Sequence, residues 1–161
     1  MISITQTENS IKGILEPSAL VASYGIKPFK LVAFPGELEQ LGQPINCATV
    51  HVQFKNIEYE GGQLLKFNQC CSGQINRVGF LIRVLHNNLR CYHEVYEISQ
   101  AIVQALRGRK VAVMQADSLA QGDSALTIKS YKFDKITNGG AMYECSIEVE
   151  FQYTDSYSIE N

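Results

Sequence analysis

Residues 77–109 constrain the fold most strongly, because the spacing of their apolar residues changes once, from two to about 3.6. In the first part every second residue is apolar, which predicts a strand with one face on a core. These residues are Val78, Phe80, Ile82 and Val84. In the second part the apolar residues recur at steps of three and four, which predicts an amphipathic helix. Its apolar stripe consists of Val95, Ile98, Ile102 and Leu106.

Polar residues and a glycine mark the two ends of this helix. Asn87 or Asn88 can cap the first turn, and Gly108 follows the last residue of the stripe, where a left-handed helix stop favours a residue without Cβ. Basic side chains at this end complement the helix dipole. They belong to Arg107, Arg109 and Lys110. A strand followed by a well-delimited helix is therefore the centre of the predicted fold.

The rest of the chain adds two helical segments and four longer strands, besides a short strand predicted over residues 111–114. Residues 2–15 have the apolar spacing of an amphipathic helix, and residues 18–25 predict a second, shorter one. Short or alternating apolar segments predict strands over residues 28–34, 45–55, 126–137 and 141–153. The last two strands flank Asn138-Gly139-Gly140, a strong hairpin signal. This order predicts an α+β fold, a mostly antiparallel twisted sheet with helices packed on one face.

Single-domain organisation over residues 1–161 follows from the length of the chain. Within it, Gly61-Gly62 separates two weak extended segments and predicts a hairpin arm or loop over residues 61–74. Residues 155–161 are predicted to form a loose tail. The alternation of the last strand places glutamates on its outer side, which predicts an acidic outer face. These are Glu144, Glu148 and Glu150.

Charge and composition argue against several classes of partner. The 14 basic and 16 acidic residues give a net charge of -2 without a long run of one sign, so a basic nucleic-acid footprint is not expected. No apolar run approaches the roughly 20 residues that span a bilayer, and Met1 is not followed by a secretory leader pattern, so neither a membrane span nor export is expected. Five cysteines, an odd number, are interpreted as reduced thiols.

Reactive residue types are present, but their spacing does not indicate a site. Cys91 and His93 lie two residues apart on the predicted helix, so they point in different directions and cannot share one tetrahedral ion. His51 and His86 are expected to be exposed, and the Cys70-Cys71 pair has no features of an activated thiol. We therefore predict no catalytic, cofactor-binding or metal-binding residues and a protein that is not an enzyme.

A set of short segments in a fixed order resembles a known family. The set comprises the N-terminal helix, the loop Phe34-Pro35-Gly36-Glu37, an alternating strand, and pieces of the central strand and helix. Those pieces are Phe80-x-Ile82-x-Val84, Leu89-Arg90, Tyr96-Glu97 and Ala105-Leu106-x-Gly108. In this order they resemble the small tail-completion family of Mu-like prophages, which is related to the tail terminators of long-tailed phages and contractile injection systems. The resemblance covers residues 4–153, and the segment around residues 56–71 fits it least.

The resemblance implies a structural protein of the virion tail, assembled in the host cytoplasm. Such a subunit forms a ring, with six copies expected, on the last ring of the tail tube. The ring stops tube growth and presents a joining face to the head-tail connector protein, and in contractile tails it also meets the sheath protein. Neither a cofactor, a membrane nor a specific nucleic-acid sequence is among the implied partners.

Two other classes of function stay open at this point. One is another tail, baseplate or connector completion protein with the same fold. The other is a cellular domain that binds a small ligand or acts as a thiol enzyme, for which the cysteines and histidines are the only indication.

A polar segment near the helix end supplies the candidate contact residues. Residues 115–124 are rich in Asp, Ser, Gln and Gly, which predicts a mobile loop suited to contacts with ring neighbours or the tube rim. Opposite charges on this loop and on the helix end would fix the register of such contacts. The candidate interface residues are Arg107, Arg109, Lys110, Asp117, Gln121 and Asp123.

Overall fold

A computed structural model describes residues 2–32, 47–66, 71–86, 89–112, 125–136 and 142–158 of the chain. Its helices are α1 (Ile4–Ile14), α2 (Pro17–Tyr24) and α3 (Tyr92–Leu106), and a 3-10 turn at Leu89–Cys91 leads into α3. The strands are β1 (Phe29–Val32), β2 (Ala48–Lys66), β3 (Cys71–His86), β4 (Thr127–Ile136) and β5 (Met142–Ser158). None of the described helices is both long and apolar enough to cross a bilayer.

The five strands form one sheet in the order β1-β2-β3-β5-β4. β1 pairs with β2 in parallel, and the other three pairings are antiparallel. The predicted α+β class with a mostly antiparallel sheet is therefore confirmed. The edges of the sheet are β1 and β4, while β3, the predicted central strand, lies in the middle.

The core forms where the apolar face of the sheet meets α3. Cross-strand neighbours on this face are apolar at successive levels, for example Val52, Ile82 and Ile147, and each is at most 3% exposed. The predicted helix stripe is fully buried against them, since Val95, Ile98, Ile102 and Leu106 are all 0% exposed. Ile11 and Leu15 from the α1 region belong to the same core cluster. The change of apolar period within residues 77–109 thus corresponds to one strand and one helix that share a core.

Local chemistry accounts for several helix ends. The Ser3 hydroxyl accepts a hydrogen bond from the Gln6 amide at the start of α1, and Pro17 opens α2. Gly108 has a φ of 77°, as predicted for a residue that ends α3 in the left-handed region. The predicted caps Asn87 and Asn88 lie outside the described residues, and Cys91, the residue before α3, forms no side-chain cap hydrogen bond.

The pairing of β2, β3 and β5 continues to the far ends of these strands. Pairing of β2 with β3 resumes at Leu64↔Gln74 after a register shift and continues to Lys66↔Ser72, within the region predicted as an arm. β5 follows β3 to Cys71↔Ser158. The prediction of a loose tail from residue 155 is therefore wrong for residues 155–158, because their backbone groups pair with the extended β3.

The outer face of β5 is not a simple acidic surface. Glu144 is only 9% exposed and pairs with Arg83, which lies diagonally from it on β3, opposite Ser146. Lys55 Nζ lies 2.8 Å from Glu148 Oε2, and Lys129 Nζ lies 3.2 Å from Glu150 Oε2. The Lys55 hydrogen bond is the largest of the effects that lower the pKa of Glu148. Each predicted acidic residue therefore has a basic partner from another strand of the sheet, which sequence alternation along one strand does not reveal.

Candidate functional site

The segment after α3 is held against the segment that precedes β4. The amide of Gly108 donates to the carbonyl of Leu126 at 3.2 Å, and the amide of Leu126 donates to the carbonyl of Arg109 at 2.8 Å. A third contact joins this segment to α1, since the Ala112 amide donates to Ser10 Oγ at 3.0 Å. The two flanks of residues 113–124 therefore lie side by side on the body of the protein.

Three of the six candidate interface residues lie on this anchored segment. Arg107, Arg109 and Lys110 are all exposed and carry their charges at the carboxyl end of α3. The other three candidates, Asp117, Gln121 and Asp123, lie outside the described residues, as does the predicted loop over residues 115–124. The structure thus places the basic half of the candidate interface together on a surface fixed by backbone hydrogen bonds.

His51 is buried, which corrects the prediction that it is exposed. It is 1% exposed, and its ring Nδ1 lies 3.2 Å from the carbonyl oxygen of Val32 on the neighbouring strand. Because a carbonyl only accepts, Nδ1 is the protonated nitrogen of the neutral ring. Burial and then the charge of Arg83 lower the pKa of His51 to about 4. His51 is therefore a neutral, structural histidine at the β1–β2 pairing.

His86 is also buried, and again the prediction of exposure is wrong. It is the last residue of β3, and its side chain is 0% exposed. Its Nε2 lies 3.4 Å from a carboxylate oxygen of Glu94 in the first turn of α3. Cys91, from the 3-10 turn between them, completes a group in which all three ligand-type atoms lie within 4.8 Å of one another. The strand end and the helix start thus bring together an imidazole, a thiol and a carboxylate.

The sequence interpretation rejected a metal site because it considered Cys91 together with His93. His93 is indeed outside this cluster: its exposed ring lies beside that of Tyr92, with ring centroids 3.9 Å apart and the ring planes tilted by 37°. The residue that joins Cys91 is Glu94, three positions on and so on the same helical side. That spacing is visible in the sequence, but the third member, His86, joins only through the turn from β3 into α3.

The environment of the described thiols does not favour a nucleophilic cysteine. Burial and then the Glu94 carboxylate raise the pKa of the Cys91 thiol. Burial likewise raises the pKa of Cys145, which lies in the core facing α3. A thiol nucleophile requires the opposite shift, because the thiolate is the reactive form. The environment of these two thiols therefore supports the interpretation of inert cysteines.

An aromatic cluster joins β4 and β5 to α3. Phe133 of β4 stacks on Tyr143 of β5 with a centroid distance of 5.2 Å, and Tyr96 of α3 approaches Phe133 at 4.6 Å. Nearby, the hydroxyl oxygens of Ser99 and Tyr131 lie 2.6 Å apart. Because the Ser99 hydroxyl can donate to the Val95 carbonyl, Tyr131 can donate to Ser99. These contacts attach the edge strand β4 to the helix layer.

A surface cleft of about 340 Å³ lies between α2 and α3. Its lining includes Tyr24, Gly25, Gln100 and Gln104, with Glu97 as its acidic residue. These side chains can form hydrogen bonds, but the lining contains neither a nucleophile nor a base paired with one.

Comparison with solved structures finds a chain of similar fold. The chain superposes on a chain from the virion of a native gene transfer agent particle with a TM-score of 0.58. The alignment covers 94% of this chain and 96% of that chain at 12% sequence identity. The two chains share a fold.

Other comparisons add no functional information. The core region of PilO from the type IV pilus system of Pseudomonas aeruginosa aligns over 79% of this chain at 13% identity, but its TM-score of 0.29 is too low to support an argument. No protein-family model matches the sequence. No curated protein matches it either.

Proposed function

We propose that this chain is a structural component of a phage-like virion, and that it is the tail terminator. In this role a ring of subunits closes the head-proximal end of the tail tube, stops its growth and offers a joining face to the head-tail connector. The fold shared with a virion chain over 94% of the sequence is the observation that carries the proposal. The resemblance of residues 4–153 to tail-completion proteins supports the same role from the sequence.

The arrangement of the sheet is compatible with a ring. Among the described strands β1 and β4 lie at the edges of the sheet, and β4 presents the exposed residues Lys129 and Lys132. Lysines on an edge strand oppose uncontrolled pairing with other sheets. Contacts between ring neighbours are therefore expected to use side chains and loops beside the edges, rather than continuous sheet extension.

The basic surface at the end of α3 is the described part of the proposed neighbour contact. Arg107, Arg109 and Lys110 are exposed next to the anchored flanks of residues 113–124, and that segment contains Asp117 and Asp123. Complementary charges at the rim of an interface fix orientation and register. In the proposed ring, the basic surface of one subunit meets acidic residues of its neighbour or of the tube protein.

Oligomeric state tests the ring directly. We expect native mass spectrometry and light scattering to find a closed oligomer, most simply a hexamer, either alone or on addition of tube protein. In a closed ring each subunit covers the contact surface of the next, so no such surface is left exposed. A protein that stays monomeric at high concentration in both conditions contradicts the proposal.

Tube length separates a terminator from other completion proteins. In an assembly reaction with tube protein, a terminator added at increasing ratios should shorten the tubes and leave the protein at one end, as seen by electron microscopy. A baseplate or connector component would leave the tube length unchanged. A folded protein that binds neither tube nor connector would favour a cellular role.

Reversal of the basic surface should weaken assembly without unfolding the subunit. For the double variant Arg107→Glu/Lys110→Glu we expect at least about tenfold weaker ring or tube association, equivalent to about 1.4 kcal/mol. The matched control is Lys27→Glu/Lys30→Glu, which makes the same change of charge at two other exposed positions. Circular dichroism should find both variants folded. Equal loss in both variants would mean that net charge alone matters, and no loss in the first would place the contact elsewhere.

A further inference from the structure

Three potential metal ligands converge where β3 passes into α3. His86 is the last residue of β3, Cys91 ends the 3-10 turn, and Glu94 lies in the first turn of α3. Their ligand atoms all lie within 4.8 Å of one another. The cluster has a rigid and an adjustable part, since the His86 side chain is fully buried whereas that of Glu94 is 26% exposed.

The distances are close to those that a tetrahedral ion requires. At Zn–N and Zn–S lengths of about 2.0 and 2.3 Å, two ligands of one ion lie about 3.5 Å apart. His86 Nε2 and Glu94 Oε2 already lie at 3.4 Å. The side chains of Cys91 and Glu94 are both partly exposed, which leaves them room to rotate toward an ion.

The identity of the ligands favours zinc over the harder cations. Magnesium and calcium prefer sets of oxygen ligands, whereas thiolate and imidazole are typical ligands of zinc. The carboxylate of Glu94 also offsets the unfavourable placement of a cation at the positive end of the α3 dipole. Three protein ligands leave a fourth position for water.

We propose that His86, Cys91 and Glu94 bind one zinc ion, which joins the end of the central strand to the start of the central helix. The hydrated ion exchanges its water ligands, except the one in the fourth position, for Nε2 of His86, the Sγ of Cys91 and a carboxylate oxygen of Glu94, and the thiol proton of Cys91 is released to solvent. The ion links the last residue of β3 to the first turn of α3, where Cys91, the residue before the helix, forms no side-chain cap hydrogen bond. This proposal is independent of the proposed role in the virion.

Metal content and thermal stability test the site. Protein without an affinity tag is stripped with a chelator, reloaded with ZnCl₂ and dialysed, and its metal is measured by inductively coupled plasma mass spectrometry. We expect one zinc per chain and a melting temperature several degrees higher than that of the stripped protein. Reloading with Co²⁺ should give the charge-transfer absorption of a thiolate–cobalt bond.

Matched variants identify the ligands. Cys91→Ser should abolish the thiolate–cobalt absorption, and Glu94→Gln should weaken zinc binding at least about tenfold, in the range typical for perturbed zinc sites. His93→Ala and Cys47→Ser should bind zinc as the wild type does, because both residues lie outside the cluster. In the stripped state all four variants should fold, as judged by circular dichroism.

Three outcomes overturn the proposal. The first is less than stoichiometric zinc after reloading at micromolar concentration. The second is thiolate–cobalt absorption that persists in Cys91→Ser, which would place the ion on another cysteine. The third is an equal loss of affinity in His93→Ala and Glu94→Gln, which would indicate general destabilisation of the helix start.

Discussion

Replacement of Ile98 or Ile102 by Asp is expected to abolish soluble expression. Both side chains are 0% exposed and pack between α3 and the apolar face of the sheet. The substitution removes apolar contacts that contribute about 2–5 kcal/mol and forces a carboxylate to be buried without a partner or to be protonated. The combined loss is on the order of the total stability of a domain, about 5–15 kcal/mol. The measurement is the soluble fraction after expression, followed by circular dichroism of any soluble protein.

Gln100→Asp is the matched control for these variants. It introduces the same side chain in the same helix, but at an exposed position. There the expected cost is below about 1 kcal/mol, because Asp is only a moderately poor helix former. Normal expression of Ile98→Asp with the melting temperature of the wild type would show that α3 does not cover the sheet as described.

Acid should destabilise the protein through His51. Its pKa in the folded protein is about 4, against an ordinary value of 6.5. Between these values the unfolded chain binds a proton that the folded protein does not, so the free energy of unfolding falls as the pH drops from about 6.5 to about 4. The full shift corresponds to at most about 3 kcal/mol. The stabilisation that comes from the neutral, buried His51 is fully present above pH 6.5 and is already lost below pH 4.

The structural cause of this pH dependence is the surroundings of the ring. The Nδ1–H group donates a hydrogen bond to the Val32 carbonyl, whereas Nε2 is buried and has no hydrogen-bond partner among the described residues. A second proton would therefore place a charged N–H in a site without an acceptor, close to the positive charge of Arg83. Protonation of His51 accordingly opposes the pairing of β1 with β2.

Urea unfolding at a series of pH values measures the effect. We compare the wild type with His51→Asn, in which the amide can donate to the Val32 carbonyl but does not titrate. The variant should lose less stability between pH 6.5 and 4 than the wild type, by up to about 3 kcal/mol. Carboxylates are common to both proteins and cancel in the difference. Parallel stability curves over this range would show that His51 does not control the acid response.

Much of the secondary structure could be predicted from local patterns. The alternation through Val78 and Ile82 and the stripe through Ile98 and Ile102 each depend on one element facing one core, so a window of the sequence contains the whole signal. The positive φ of Gly108 was predictable for the same reason, since a helix stop is a local backbone requirement. The α+β class follows from the order of these elements along the chain.

The burial of polar residues could not be predicted from such windows. His51 alternates with apolar residues as a solvent-facing residue would, yet it is buried and contacts Val32 on the parallel neighbour. Glu144 shows the same pattern and is paired with Arg83, which lies 61 positions away in the sequence. Which side chains a strand meets depends on strand order and register, and both are set by contacts between distant segments.

The sequence by itself therefore determined the elements, their apolar faces and their order. Only the tertiary structure decided which polar groups are in contact, because the order and register of the strands determine the neighbours of each side chain, and local spacing does not specify them. The cluster of His86, Cys91 and Glu94 shows the difference. The spacing of Cys91 and Glu94 along the helix is local, but His86 joins them only because β3 ends against the first turn of α3.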